Sequence, residues 1–177
     1  MAEHQGREII AGGNALAVRS ASKTRPNDTN AYAAGDVINE STSAGTVITF
    51  SNVVKTPGGT GTLARVVIDD SANVSTKLQC ELWLFHTTIT SDNDNGAFTP
   101  TDAEMQTCVT VVPITSSYVG DATSGAGGNA RLTSGTISEP IHCASGSTTL
   151  YGVLVARNAY TPVAQEVFNV RLFIYQD

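Results

Sequence analysis

Few residues of this chain are of a type that does chemistry, and they stand far apart. Three cysteines, Cys80, Cys108 and Cys143, and three histidines, His4, His86 and His142, are spread over 177 residues. Nucleophilic catalysis needs a thiol or hydroxyl held against a base. Cys143 or Cys108 with His86 would supply that pair, but only the residue types suggest it. An odd cysteine count at wide spacing, without a C-x₂-C pair, fits neither a disulfide framework nor a zinc site. The thiols therefore read as small core hydrophobes. Asp69 and Asp70 are adjacent in an extended stretch and point to opposite faces, so they cannot share a proton or metal as a dyad does. They read as the turn after a strand.

The loop Ser91–Asp102 has a superficial calcium-loop spacing. With Gly96 at the turn, Ser91, Asn93 and Asn95 take the early ligand positions and Asp102 the last. Ca²⁺ wants several carboxylate oxygens, and Asp92 and Asp94 fall out of phase, so a solvated turn is expected. The Gly-rich run Thr56–Thr62 lacks the lysine and following helix of a phosphate cradle, and no G-x-S-x-G or H-E-x-x-H occurs. The expectation is a protein that binds or builds and is not an enzyme, with no catalytic residue, metal or cofactor.

Charge narrows the partners. The net charge is −6 with a pI near 4.9, and the ten Lys and Arg are scattered singly along the chain. Gripping phosphates needs clustered cations, so neither direct nucleic-acid binding nor an anionic membrane surface is expected. No apolar run approaches the roughly 20 residues that span a bilayer. Met1–Glu8 has no apolar core of the signal-peptide kind, so folding in a cytoplasm is expected. The sequons at Asn27 and Asn73 should then be unmodified.

The elements that would position these residues are strands. Only 15% of the chain is charged, too little for long surface helices, while Thr, Val, Ser, Gly and Asn suit half-buried strands and tight turns. Candidate strands are Ala15–Ser22, Asp36–Asn39, Thr46–Val54, Thr62–Asp69, Thr76–Thr87, Gln106–Ile114, Ala130–Ser138, Thr148–Arg157 and Glu166–Tyr175. Turn chemistry separates them at Arg25–Asp28, Thr56–Gly59, Asp92–Gly96 and Gly120–Asn129. About eight or nine short strands at this spacing predict an all-β sandwich or barrel. Residues 14–177 form one domain in this reading, behind an N-terminal arm of residues 1–13.

Two segments alternate with period 2. Leu78, Cys80, Leu82 and Leu84 make one apolar row, and Phe168, Val170, Leu172 and Ile174 another. Their opposite faces are not fully polar. Trp83 and Phe85 lie behind the first row, Phe173 and Tyr175 behind the second, and either a loop or a neighbouring subunit must cover them. One exception to the β pattern is Thr99–Gln106. Pro100, and Thr101 three residues before Glu104, predict a capping box and a helix of one or two turns near 100–106.

One stretch is more specific than composition. Asn30-Ala31-Tyr32-Ala33-Ala34-Gly35-Asp36-Val37-Ile38 is followed by an apolar strand, Val47–Val53, a Gly-rich turn and a strand ending in Asp69. Glu81-Leu82-Trp83-Leu84-Phe85 then leads to an Asp/Asn-rich loop and to Asn95-Gly96-Ala97-Phe98-Thr99-Pro100-Thr101-Asp102. Val153–Arg157 and Val170–Tyr175 close the pattern. From Asn14 to Tyr175 the chain resembles small virion proteins of tailed bacteriophages.

The resemblance implies a jelly-roll β-sandwich carried on the phage head. It implies a decoration or cement protein that binds the major capsid protein and itself, as a homotrimer first and a dimer next. Contact residues would come from the arm (Arg7, Ile9, Ile10) and from the aromatic faces (Trp83, Phe85, Phe173, Tyr175). The alternative is a tail or fibre module that binds a host glycan or another virion protein, with Trp83, Tyr32, Tyr118 or Tyr160 as the stacking platform.

Overall fold

A computed structural model of the chain describes residues 15–119 and 128–177. Residues 1–13, with Arg7, Ile9 and Ile10, and most of the loop expected at 120–129 lie outside the described residues. In chain order the strands are β1 (Ala15–Thr24), β2 (Val37–Ile38), β3 (Ile48–Phe50), β4 (Thr60–Asp70), β5 (Cys80–Phe85), β6 (Cys108–Ile114), β7 (Ser116–Val119), β8 (Ala130–Thr133), β9 (Glu139–His142), β10 (Leu150–Ala156) and β11 (Val167–Gln176), with one helix, α1 (Asp102–Met105), before β6.

They form two antiparallel sheets packed as a sandwich. One runs β1-β11-β4-β8-β7, with β9 also on β4; the other runs β2-β10-β5-β6, with β3 also on β10. The strands β2 and β3 pair with successive parts of β10, and β8 and β9 with successive parts of β4. Each pair is thus one interrupted strand. Counted so, each sheet carries the four alternating strands of a jelly roll, and β7 is an added edge.

The nine expected segments all contain strands. Two strands were not expected. β7 is polar, shows no alternation and pairs only with β8. β9 contains Pro140, which has no N–H to give a ladder, and it is tolerated because β9 pairs only with β4. The expected strand Ala130–Ser138 breaks after Thr133, where Gly135 takes a positive φ of 73°.

Both apolar rows point inward. Leu78, Cys80, Leu82, Leu84, Phe168, Val170, Leu172 and Ile174 are all buried between the sheets. Within the five-stranded sheet, Gly152 of β10 makes room for its neighbours: a Cβ there would meet the Phe50 ring of β3 at 3.0 Å and Leu82 of β5 at 3.1 Å, so a larger residue would displace these core side chains.

A second, smaller core lies on the outer side of the five-stranded sheet. Val37, Phe85, Val153 and Val155 pack there beneath Ile89 and Phe98 of the 86–101 loop, and Trp83 meets Phe98 edge to face with centroids 5.2 Å apart. A loop of the chain itself therefore covers this face. Phe85 has no exposed surface, which corrects its expected place at an interface, and Trp83 is half-buried.

Two devices pin the covering loop. The capping box forms as expected: the Glu104 amide donates to Thr101 Oγ1 at 3.3 Å and the Thr101 amide to Glu104 Oε2 at 2.8 Å. Pro100 precedes the cap. The Thr90 amide also donates to Glu104, at 2.8 Å. Donors from Thr101 and Thr90 hold this carboxyl below the usual range.

The second device is Asp94, which is buried and not part of a solvated turn. It accepts from Tyr32 Oη at 2.6 Å, the Asn39 amide at 2.8 Å and Arg25 Nη2 at 3.1 Å. Asp92 accepts from the Thr99 amide and hydroxyl at 2.9 and 3.1 Å. Both carboxylates are engaged by the chain, and among the described residues no group of three or more His, Cys, Asp or Glu is placed to hold a metal.

Candidate functional site

The outer side of the six-stranded sheet is finished differently. Side chains directly opposite across a ladder share a face. The register sets Leu16 against Tyr175, Val18 against Phe173 and Ser20 against Arg171. It continues Phe173 to Arg65, Asn169 to Asp69, Asp69 to Arg131 and Arg131 to Tyr118. These residues share one face over five strands. Its apolar members are exposed: Leu16 by 54%, Val18 by 45%, Tyr175 by 42% and Tyr118 by 64%. They are four of the five large apolar side chains exposed among the described residues; the fifth is Met105.

Phe173 sits lower and is half-buried. The guanidinium of Arg65 lies over its ring, 4.8 Å from the centroid, with Arg171 at 6.0 Å. A register shift between Phe173 and Ile174 falls beside Arg65 in β4, and such a bulge re-aims a side chain. Asp69 accepts from Arg131 Nε at 2.8 Å and from Arg171 Nη2 at 2.6 Å. Arg65 has no acidic partner among the described residues, and Arg171 Nε is buried without an acceptor. Arg65, Arg131, Arg171, Tyr118 and Phe173, with two threonines, line an open cavity of about 320 Å³. Three arginines against Asp69 make this patch cationic on a chain of net charge −6.

The remaining candidates are placed as follows. His86 meets His142, ring centroids 5.1 Å apart, and among the described residues neither Cys108 nor Cys143 hydrogen-bonds an imidazole. Burial pushes the Cys143 thiol up to about 11 and that of Cys80 up to about 12, and raises that of Cys108. All three are disfavoured as thiolates. Asp69 and Asp70 take opposite faces, as expected. Asp70 turns inward beside Glu166, and burial first, then that neighbour, pushes its carboxyl up to about 9. Tyr160 Oη and, at 2.8 Å, the Val163 amide donate to Glu166.

Tyr32 and Tyr160 pair through a single β-bridge and are buried, so neither can serve as a stacking platform for a sugar. The Tyr32–Val37 motif is architectural. Gly35, at φ 104°, donates to Ala156 O at 2.8 Å, and Val37 donates to Gly96 O at 2.8 Å. These bonds tie β2 to β10 and to the covering loop.

Of the expected contact residues, Phe173 and Tyr175 lie on the exposed face and Trp83 and Phe85 do not. Sequence reasoning missed Arg65, Arg131, Arg171, Leu16 and Val18. Period-2 counting in β1 was available for the last two, whereas the arginines come together only through strand pairing. No protein-family model and no curated protein matches the chain.

Proposed function

We propose that this chain is a structural virion protein. In this reading it is a decoration or cement protein that docks on the major capsid protein of a phage head through the outer face of its six-stranded sheet and stabilises the shell. The observation that carries the proposal is this face, which none of the described residues covers. Exposed apolar side chains in one contiguous patch mark interaction surfaces, and here they lie on one face of the six-stranded sheet with arginines among them, a residue enriched at interfaces. The resemblance to small virion proteins from Asn14 to Tyr175 supplies the particle, and self-association as a trimer or dimer belongs to the same reading. Among the glycan-binding platforms, only Tyr118 is well exposed, so nothing specific favours a tail or fibre lectin.

The test is a particle assembled with and without the chain. The expected result is a head-fraction copy number set by shell symmetry, with loss of DNA on heating or chelation when the chain is missing. Virions whose heads contain no trace of the chain would reject the assignment.

A further inference from the structure

We infer that the cavity over Phe173 is a carboxylate-binding site, filled by an Asp or Glu side chain from an extended, partly apolar segment of a partner protein. The inference deepens the docking reading and rests on it. Three observations carry it. Charge comes first: Arg65 is exposed and has no acidic partner among the described residues, and Asp69 is shared between Arg131 and Arg171. Among the described residues the patch thus keeps uncompensated positive charge, on an acidic chain.

The second is geometry. Asp69 already bridges two guanidinium groups at 2.6–2.8 Å, so the arginine array accepts a carboxylate at charge-assisted hydrogen-bond distance. Arg65, with its guanidinium 4.8 Å from the Phe173 ring centroid, lines the cavity with donors that no described acid engages. The third is the surrounding surface. Leu16, Val18 and Tyr175 continue the row from Phe173 along the strands, so an occupant with a carboxylate alone would leave them wet. Side chains two apart on a strand share a face, so the matching segment carries its acid two residues from an apolar side chain.

The test is calorimetric titration of the full chain with a synthetic peptide of repeat Ile-Ser-Glu-Ser, which sets Ile and Glu on one face of a strand. Its Gln counterpart, a sulfated oligosaccharide and a single-stranded DNA oligonucleotide are the comparison arms. The expected result is binding that weakens about tenfold on changing Glu to Gln and about tenfold in Arg65→Ala, is partly restored in Arg65→Lys, and falls with salt. Leu16→Ser weakens it a few-fold. Arg65 is exposed and pairs with no acid among the described residues, so its variants lose only the contact with the Phe173 ring and should melt close to the parent.

Equal affinity for the Glu and Gln peptides, or indifference to Arg65→Ala, would overturn the site. So would tighter binding of the oligosaccharide or DNA, or self-association through this face that excludes the peptide. Attachment to phage heads without peptide binding rejects the carboxylate site and keeps the docking reading. Peptide binding without attachment keeps the site and rejects the phage-head reading.

Discussion

The two sheets bury their inner faces on each other, but their outer faces part company. Over the five-stranded sheet the chain folds its own 86–101 loop, so Phe85, Val153 and Val155 become a second core. Over the six-stranded sheet nothing among the described residues covers Leu16, Val18 and Tyr175. The acidic partners of arginine differ in the same way. Arg25–Asp94, which holds the covering loop, has side chains 0% and 1% exposed, while Arg131–Asp69 has 56% and 37%. In the proposed reading the difference separates stability from docking: changes on the covered face should unfold the protein, and changes on the open face should not.

The sharpest way to break this contrast is on the covered side. Phe85→Ala empties a fully buried ring site and is expected to cost about 3–5 kcal/mol, read by denaturant unfolding. Asp94→Ala leaves the buried Arg25 with only the partly exposed Asp28, 3.3 Å away, and should cost at most about 3–5 kcal/mol, with faster amide exchange through the 86–101 loop.

The next effect is on pH. Asp70 has its carboxyl pushed up to about 9 in the folded chain, against about 3.9 unfolded. Between these values the folded state binds the extra proton. The contribution is therefore full below about pH 4 and is lost as pH rises towards 9, at up to about 1.4 kcal/mol per pH unit. Asp70→Asn should flatten that slope and stabilise the protein at pH 8, measured by unfolding across pH 5–9.

The smallest expected effects are on the open face. Arg131→Ala should cost less than about 1 kcal/mol, since its ion pair is solvated. Val18→Ser should stay within about 0.5 kcal/mol of the parent while reducing attachment to particles.

Much of the fold was legible in the chain, because alternation is local. The Leu78–Leu84 and Phe168–Ile174 rows fix which side of β5 and β11 faces inward, and Thr101 with Glu104 marks the helix within four residues. Legibility fails where meaning depends on a distant strand. Asp94 looks like a loop acid until Arg25 and Tyr32 close on it, and Asp70 looks like a turn residue until Glu166 arrives beside it. Arg65, Arg131 and Arg171 are single cations in the sequence and a cluster only after β4, β8 and β11 pair. The aromatics behind the two rows posed one question in the sequence and have two answers in the fold: a loop covers Trp83 and Phe85, and no described part of the chain covers Tyr175.

The most direct test of the account is hydroxyl-radical footprinting of the chain, free and bound to phage heads. The account predicts that Tyr118, Tyr175 and Leu16 lose reactivity on binding, while Met105 and Trp83 keep theirs. Protection at Met105 and Trp83 with Tyr118 and Tyr175 still reactive would contradict it.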